Sequence, residues 1–246
     1  MNIGMLLLSD ARFPAGGHAH SGGVEPAATA GTVTGIASLE VFLRGRLRTA
    51  GMVAAGLAAA ACARAEDGRW DEFDAEAEAR TPSPAQREAS RRQGRALLRA
   101  ARAAWPEAGC LADLAAPVVT PVQTVRPAAA PETGTVPASG YRGGPHHAVV
   151  LGAAAAAAGC TAAEAARIAA YQSVSGPASA AVRLLALDPM RAAAVLARLA
   201  GDVDATAERA AAYAEEPLAD LPYPSAPALD LLAEAHIRAE VRLFES

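Results

Sequence analysis

From Ser38 onward the apolar side chains Leu39, Phe42, Leu43 and Leu47 fall at i, i+3, i+4 and i+8, the spacing of one helix face. Glu40, Arg44 and Arg48 occupy the opposite side. A similar stripe returns near the end of the chain in Leu229, Leu232, His236 and Ile237, with Glu234 and Arg238 placed for an i, i+4 pair. No stretch alternates apolar and polar positions as a half-buried strand does. The pattern predicts an all-α fold: a single helical domain spanning residues 1–246, with about eight to ten helices.

Start and stop signals divide the pattern. A short helix is expected over 25–30, with Pro26 in its first turn and Gly31 as its left-handed terminator. Others are expected from 38, over 52–65 and over 70–79. Ser83, Pro84 and Gln86 read as N-cap, N1 and N3 of a helix reaching about 105. A helix over 145–158 ends at Gly159, and Thr161 with Glu164 forms a capping box for one running through 173. Gly176-Pro177 is expected to open the next, Asp188-Pro189 another that reaches about 215, and Pro227 a last one that runs to the end. Residues 117–144 are punctuated by Pro117, Pro121, Pro127, Pro131 and Pro137, with glycines at 140, 143 and 144, and read as a flexible insertion.

Composition sharpens this picture. The chain is 52% hydrophobic but 4% aromatic, which suits helices packed closely through alanine and glycine. Its net charge of −4 supplies no positive field for nucleic acid or an anionic membrane. All 22 basic residues are arginine, so neither a Walker-type phosphate loop nor a lysine Schiff base is available. Cys62, Cys110 and Cys160 are odd in number and widely spaced, which predicts no disulfide framework and fits a reducing compartment. The apolar run at the start stops at Asp10, and the alanine-rich run 147–163 is too short for a span, so a soluble cytoplasmic protein is expected.

Candidate chemistry concentrates in residues 9–25, where Pro14 and four glycines surround Asp10, His18, His20, Ser21 and Glu25. Glycine-dense polar segments serve turns or close approach by another molecule. His18 and His20 form an HxH pair able to hold zinc, nickel or copper, with Asp10, Glu25, His146 and His147 as further candidates. The competing reading is a set of loop histidines bonded to backbone. Ser21 as nucleophile with His18 or His20 as base and Asp10 or Glu25 as orienter gives a hydrolase reading, although no G-x-S-x-G elbow is present. Arg87, Arg91, Arg95 and Arg99 make a basic stripe, suited to an acidic partner or to solvent. Gly94, inside that helix, predicts close packing by another helix.

Four ordered blocks resemble the UreF family of urease accessory proteins. The first comprises Leu6-Leu7-Leu8-Ser9-Asp10, Phe13-Pro14-Ala15-Gly16-Gly17 and His20-Ser21-Gly22-Gly23-Val24-Glu25. The others are Ser90 to Leu98, Ala180-Ala181-Val182-Arg183-Leu184, and the tail Arg242-Leu243-Phe244 before Ser246. His18 and Pro26 depart from the family pattern, where His18 replaces a commonly aromatic residue. The resemblance implies a non-catalytic chaperone that binds UreD (UreH), recruits the GTPase UreG and serves nickel delivery to apo-urease, as a dimer within that complex. It implies no tightly bound cofactor, with nickel only in transit. It assigns partner binding to Asp10, Pro14, Gly17, His20, Ser21, Glu25, Arg242, Leu243 and Phe244. The rivals are the metal-dependent or Ser/His hydrolase and a stand-alone nickel-binding protein.

Overall fold

A computed structural model describes residues 2–10, 12–14, 20–115, 144–239 and 243–244. The expected insertion at 117–144 lies outside them except for Gly144, as do Gly17, His18 and Arg242. The described residues form helices and no strand: α1 (Ile3–Ser9), α2 (Val24–Thr29), α3 (Ile36–Arg46), α4 (Met52–Ala63), α5 (Trp70–Ala79), α6 (Pro84–Ala104), α7 (Gly109–Ala115), α8 (His147–Ala157), α9 (Ala162–Leu185), α10 (Pro189–Ala211) and α11 (Pro227–His236). A π turn, Leu47–Gly51, carries α3 into α4 without a break. A 3-10 turn, Leu218–Asp220, follows α10. Arg80 donates to the carbonyls of Leu218 and Leu221, and Arg64 to that of Ala214, which fixes the proline-rich connector.

The apolar stripe read from Ser38 points inward: Leu39, Leu43 and Leu47 are fully buried. At the centre α4 packs against α8, α9 and α10. Small side chains set the spacing there. A Cβ on Gly152 would lie 2.5 Å from the Ala58 carbonyl oxygen, and one on Gly51 would lie 2.6 Å from Ser173 Oγ. Alanine-lined helices can approach this closely, and close approach recovers the dispersion contacts that few large side chains supply.

The capping residues Ser83 and Thr161 act as the sequence indicates, with one change. Thr161 and Glu164 close a reciprocal box at α9. Ser83 Oγ accepts from the Gln86 amide, but the returning carboxylate is Glu234 of α11, which accepts from Ser83 Oγ (2.5 Å) and the Ala85 amide (2.9 Å). Glu234 is therefore spent on the α6 cap, and Arg238 reaches it only through its charge. The basic stripe on α6 is largely consumed within the chain: Arg91 pairs with Asp74 and Glu78, Arg87 with Glu78, and Arg92 and Arg95 with Glu88.

Two boundaries differ from expectation. Gly176-Pro177 does not open a helix but lies inside the 24-residue α9. A proline there removes the N–H that would bond the carbonyl four residues earlier, which is that of Ser173. Arg46, at the end of α3, donates from Nε to that same carbonyl at 3.1 Å. The helix survives its proline because a side chain from another helix replaces the missing donor. This coupling is testable by a double-mutant cycle. Arg46→Met should cost about 1–2 kcal/mol in the native background, by stranding a buried acceptor. In the Pro177→Ala background, where the new alanine amide can itself donate to the Ser173 carbonyl, most of that cost should vanish. Denaturant midpoints that add within ~0.3 kcal/mol would contradict it.

The second difference is at the end of the chain. α11 stops at His236 instead of continuing. The reason it does not run to the end lies in where residues 243–244 are held.

Candidate partner-binding site

The glycine-rich turn is built on the proline-bearing stretch of α9. Gly22 (φ +58°) and Gly23 (φ +90°) are both left-handed, a conformation that a side chain disfavours. A Cβ on Gly22 would also lie 2.7 Å from Pro177 Cγ and 3.3 Å from Arg46 Cζ, so the turn needs glycine for space as well as for φ. Gly23 then caps α2, whose first turn carries Glu25.

Glu25 is buried and joins the two ends of the chain. Its Oε1 accepts from the Leu243 amide (2.7 Å) and its Oε2 from the Phe244 amide (2.8 Å). His236, the last residue of α11, places Nε2 3.4 Å from Glu25 Oε2 and 3.2 Å from the Phe244 carbonyl oxygen. The Phe244 ring lies under the Arg183 guanidinium, 4.3 Å from its centroid, a cation–π contact. A helix continuing through Phe244 could not present two successive amides to one carboxylate, so the helix has to end before Leu243. Phe244 thus folds back onto its own domain, whereas Leu243 is 73% exposed.

The remaining candidates separate. Asp10 accepts from the Arg12 amide and its guanidinium, which holds its carboxyl down at about 2. Pro14 is exposed, and Phe13 packs on Trp105 with ring centroids 6.0 Å apart. His20 and Ser21 are both buried, and Ser21 does not line the neighbouring cavity, so its hydroxyl is not presented there as a nucleophile. The adjacent His146 and His147 diverge. His146 Nδ1 meets Ser90 Oγ and its Nε2 meets Glu78 Oε2, both at 3.0 Å, while His147 lines the cavity with His20. Among the described residues no group of three or more His, Cys, Asp or Glu side chains could hold a metal ion. Sequence reasoning misses Arg46, Pro177 and Arg183 as site-building residues. One signal was available for Pro177: Ala170, Val174, Ala178 and Ala181, all buried, keep a single helical register across it.

Burial pushes the His147 imidazole down to about 4, with His20 adding to the shift, and burial also lowers His146. A histidine kept neutral by the fold contributes stability that is present above its ordinary value of 6.5 and lost as pH falls toward 4. The thermal midpoint should therefore drop between pH 6.5 and 5, above the range in which carboxylates titrate. His147→Gln should flatten that drop. Identical midpoint profiles for the two proteins would refute the assignment.

The family model UreF matches residues 33–200, more than half of the chain. The Mycolicibacterium vanbaalenii protein named urease accessory protein UreF is 42% identical over 248 residues, covering 98% of this chain and 97% of its own length. This chain belongs to the UreF family. Mycobacterium marinum and Mycobacterium tuberculosis proteins of the same name are 43% and 39% identical, each across 98% of this chain. The UreF model match begins after the glycine-rich turn and ends before the tail, whereas the alignments with these relatives extend over nearly the whole chain. Their shared name is that of an accessory protein to urease. Among the described residues no helix is long and apolar enough to cross a membrane.

Proposed function

We propose that this chain is a non-catalytic chaperone of urease maturation, which binds UreD (UreH), recruits and regulates the GTPase UreG, and so serves nickel delivery to apo-urease. It works in the cytoplasm, as a dimer within that complex, and carries nickel only in transit. The observation that supports this reading best is the convergence at Glu25. The glycine-rich turn, α9 and the C-terminal tail meet there, and exposed apolar side chains lie toward both ends of the chain: Ile3, Leu6 and Leu7 on α1 and Leu243 on the tail. Apolar groups left outside a core with this much capacity suit a partner's surface better than solvent.

Leu243→Asp tests it, because a residue 73% exposed carries little of the domain's stability. The variant should keep the native thermal midpoint while capture by purified UreD weakens by tenfold or more, a loss of roughly 1.4 kcal/mol. Urease activation in cells co-expressing the accessory proteins should fall with it. Undiminished capture and activation would move the interface away from the tail.

A further inference from the structure

Beside the turn lies a partly open cavity of about 560 Å3, more apolar than polar in its wall and formed chiefly by α9 with α8 and α10. Its size and lining are those of a site that receives something. Arg46 also lines it, beside Ser173.

Arg46 has five N–H donors, of which Nε is given to the Ser173 carbonyl. No carboxylate among the described residues stands within ion-pairing distance of it, although arginines elsewhere in the chain pair freely, as Arg44 does with Glu40 and Asp202. The other charged groups and the imidazoles on the cavity wall do not compensate it. Asp10 is committed to Arg12, His147 is held neutral by burial, Arg183 adds a second positive charge, and His20 is an imidazole. Desolvation lowers Arg46 to about 10, which still leaves it charged at neutral pH. A charge in a cavity wall with no counter-charge among the described residues is a standing cost, which an incoming anion would relieve.

We propose that this cavity receives an acidic side chain carried on an apolar segment of the docking partner, with Arg46 as its counter-charge. This rests on the partner-binding reading above. An apolar segment fits the apolar part of the wall, a carboxylate matches the Arg46 guanidinium, and the same turn contributes His20 and Gly22 to the lining. Insertion would lock the turn, the proline-bearing stretch of α9 and the partner together at one residue.

Capture of the full chain by purified UreD tests this with two variants. Arg46→Gln removes the charge but keeps an N–H for the Ser173 carbonyl, and Arg46→Lys keeps the charge. Affinity should fall by tenfold or more for Arg46→Gln and by less than about threefold for Arg46→Lys, and 1 M salt should narrow the gap. Equal capture by wild type and Arg46→Gln would overturn the inference while leaving partner docking intact. If the wild type itself fails to bind UreD, the functional reading falls first. A second measurement needs no variant: phenylglyoxal labelling mapped by mass spectrometry should modify Arg46 in the free chain and spare it in the complex. Labelling that is unchanged by UreD, or Arg46 already shielded in the free chain, would also overturn it.

Discussion

Gly94→Ala should destabilise the protein by about 3 kcal/mol or more, although alanine is the better helix former by ~1 kcal/mol. The two effects have opposite signs, and geometry decides between them. A Cβ on Gly94 would overlap the Pro145 carbonyl oxygen outright and lie 3.1 Å from the Pro145 carbonyl carbon and 3.2 Å from that of His146. Those are backbone atoms, so no rotamer change relieves the clash. The backbone is also tied in place, since the His146 amide donates to Asp74, the His147 amide to Ser90, and Arg91 to the Gly144 carbonyl. Separating α6 from this strap would disturb the Ser90 and Arg91 bonds. Gly201→Ala is the internal control. Gly201 lies within α10 with nothing within 4 Å of its Cβ position, so alanine there should gain up to ~1 kcal/mol. Scanning calorimetry should show Gly94→Ala melting roughly 6 °C or more below wild type and Gly201→Ala at or above it. A Gly94→Ala midpoint equal to wild type would mean that the α6–α8 junction yields.

Most helices are legible in the sequence because their signals are local. Trp70–Ala79 and the Ser83 and Thr161 caps depend on residues within a few positions of each other, and the structure has them there. Gly94 is also readable, since a glycine inside a long helix has few uses other than close approach; the neighbour is the segment entering α8 rather than a helix side.

What is not legible depends on distant pairs. Pro177 reads as a helix start because the rule that proline breaks a helix assumes no outside donor, and Arg46 stands 127 positions before the carbonyl it serves. Glu234 reads as half of an i, i+4 pair because nothing local announces the α6 terminus beside it. His146 and His147 read as a ligand pair, yet adjacent residues at a helix start point in different directions, one into the Glu78 and Ser90 contacts and one into the cavity. At the candidate site, Glu25, Leu243 and Phe244 are singled out by resemblance, but a separation of 218 residues between Glu25 and Leu243 carries no pattern that would pair them. Composition does anticipate the closeness of the central helices, since few large side chains are available to hold them apart.

Glu25→Ala should release the C-terminal tail and abolish most urease activation while leaving the helical domain folded. The two amides of Leu243 and Phe244 both depend on this carboxylate, and hydrogen bonds to a charged acceptor contribute about 1.5–3 kcal/mol each. Docking two residues at a chain end costs roughly 1–2 kcal/mol of backbone entropy per residue, so the balance is small enough for the loss of one acceptor group to reverse it. His236 would lose its carboxylate partner at the same time, and Phe244 would keep its carbonyl contact with His236 and its stacking under Arg183. α2 itself should persist, because Val24 and Ala27 are fully buried and do not depend on the carboxylate. Carboxypeptidase digestion gives the direct readout: removal of residues from the tail should be at least tenfold faster in Glu25→Ala than in wild type, with far-UV circular dichroism unchanged. Glu25→Gln should fall between them, since its single carbonyl oxygen can serve one amide but not both. If the tail is digested at the wild-type rate in Glu25→Ala, the carboxylate does not hold it. If activation survives with the tail demonstrably free, the docked tail is not the form that the partner recognises.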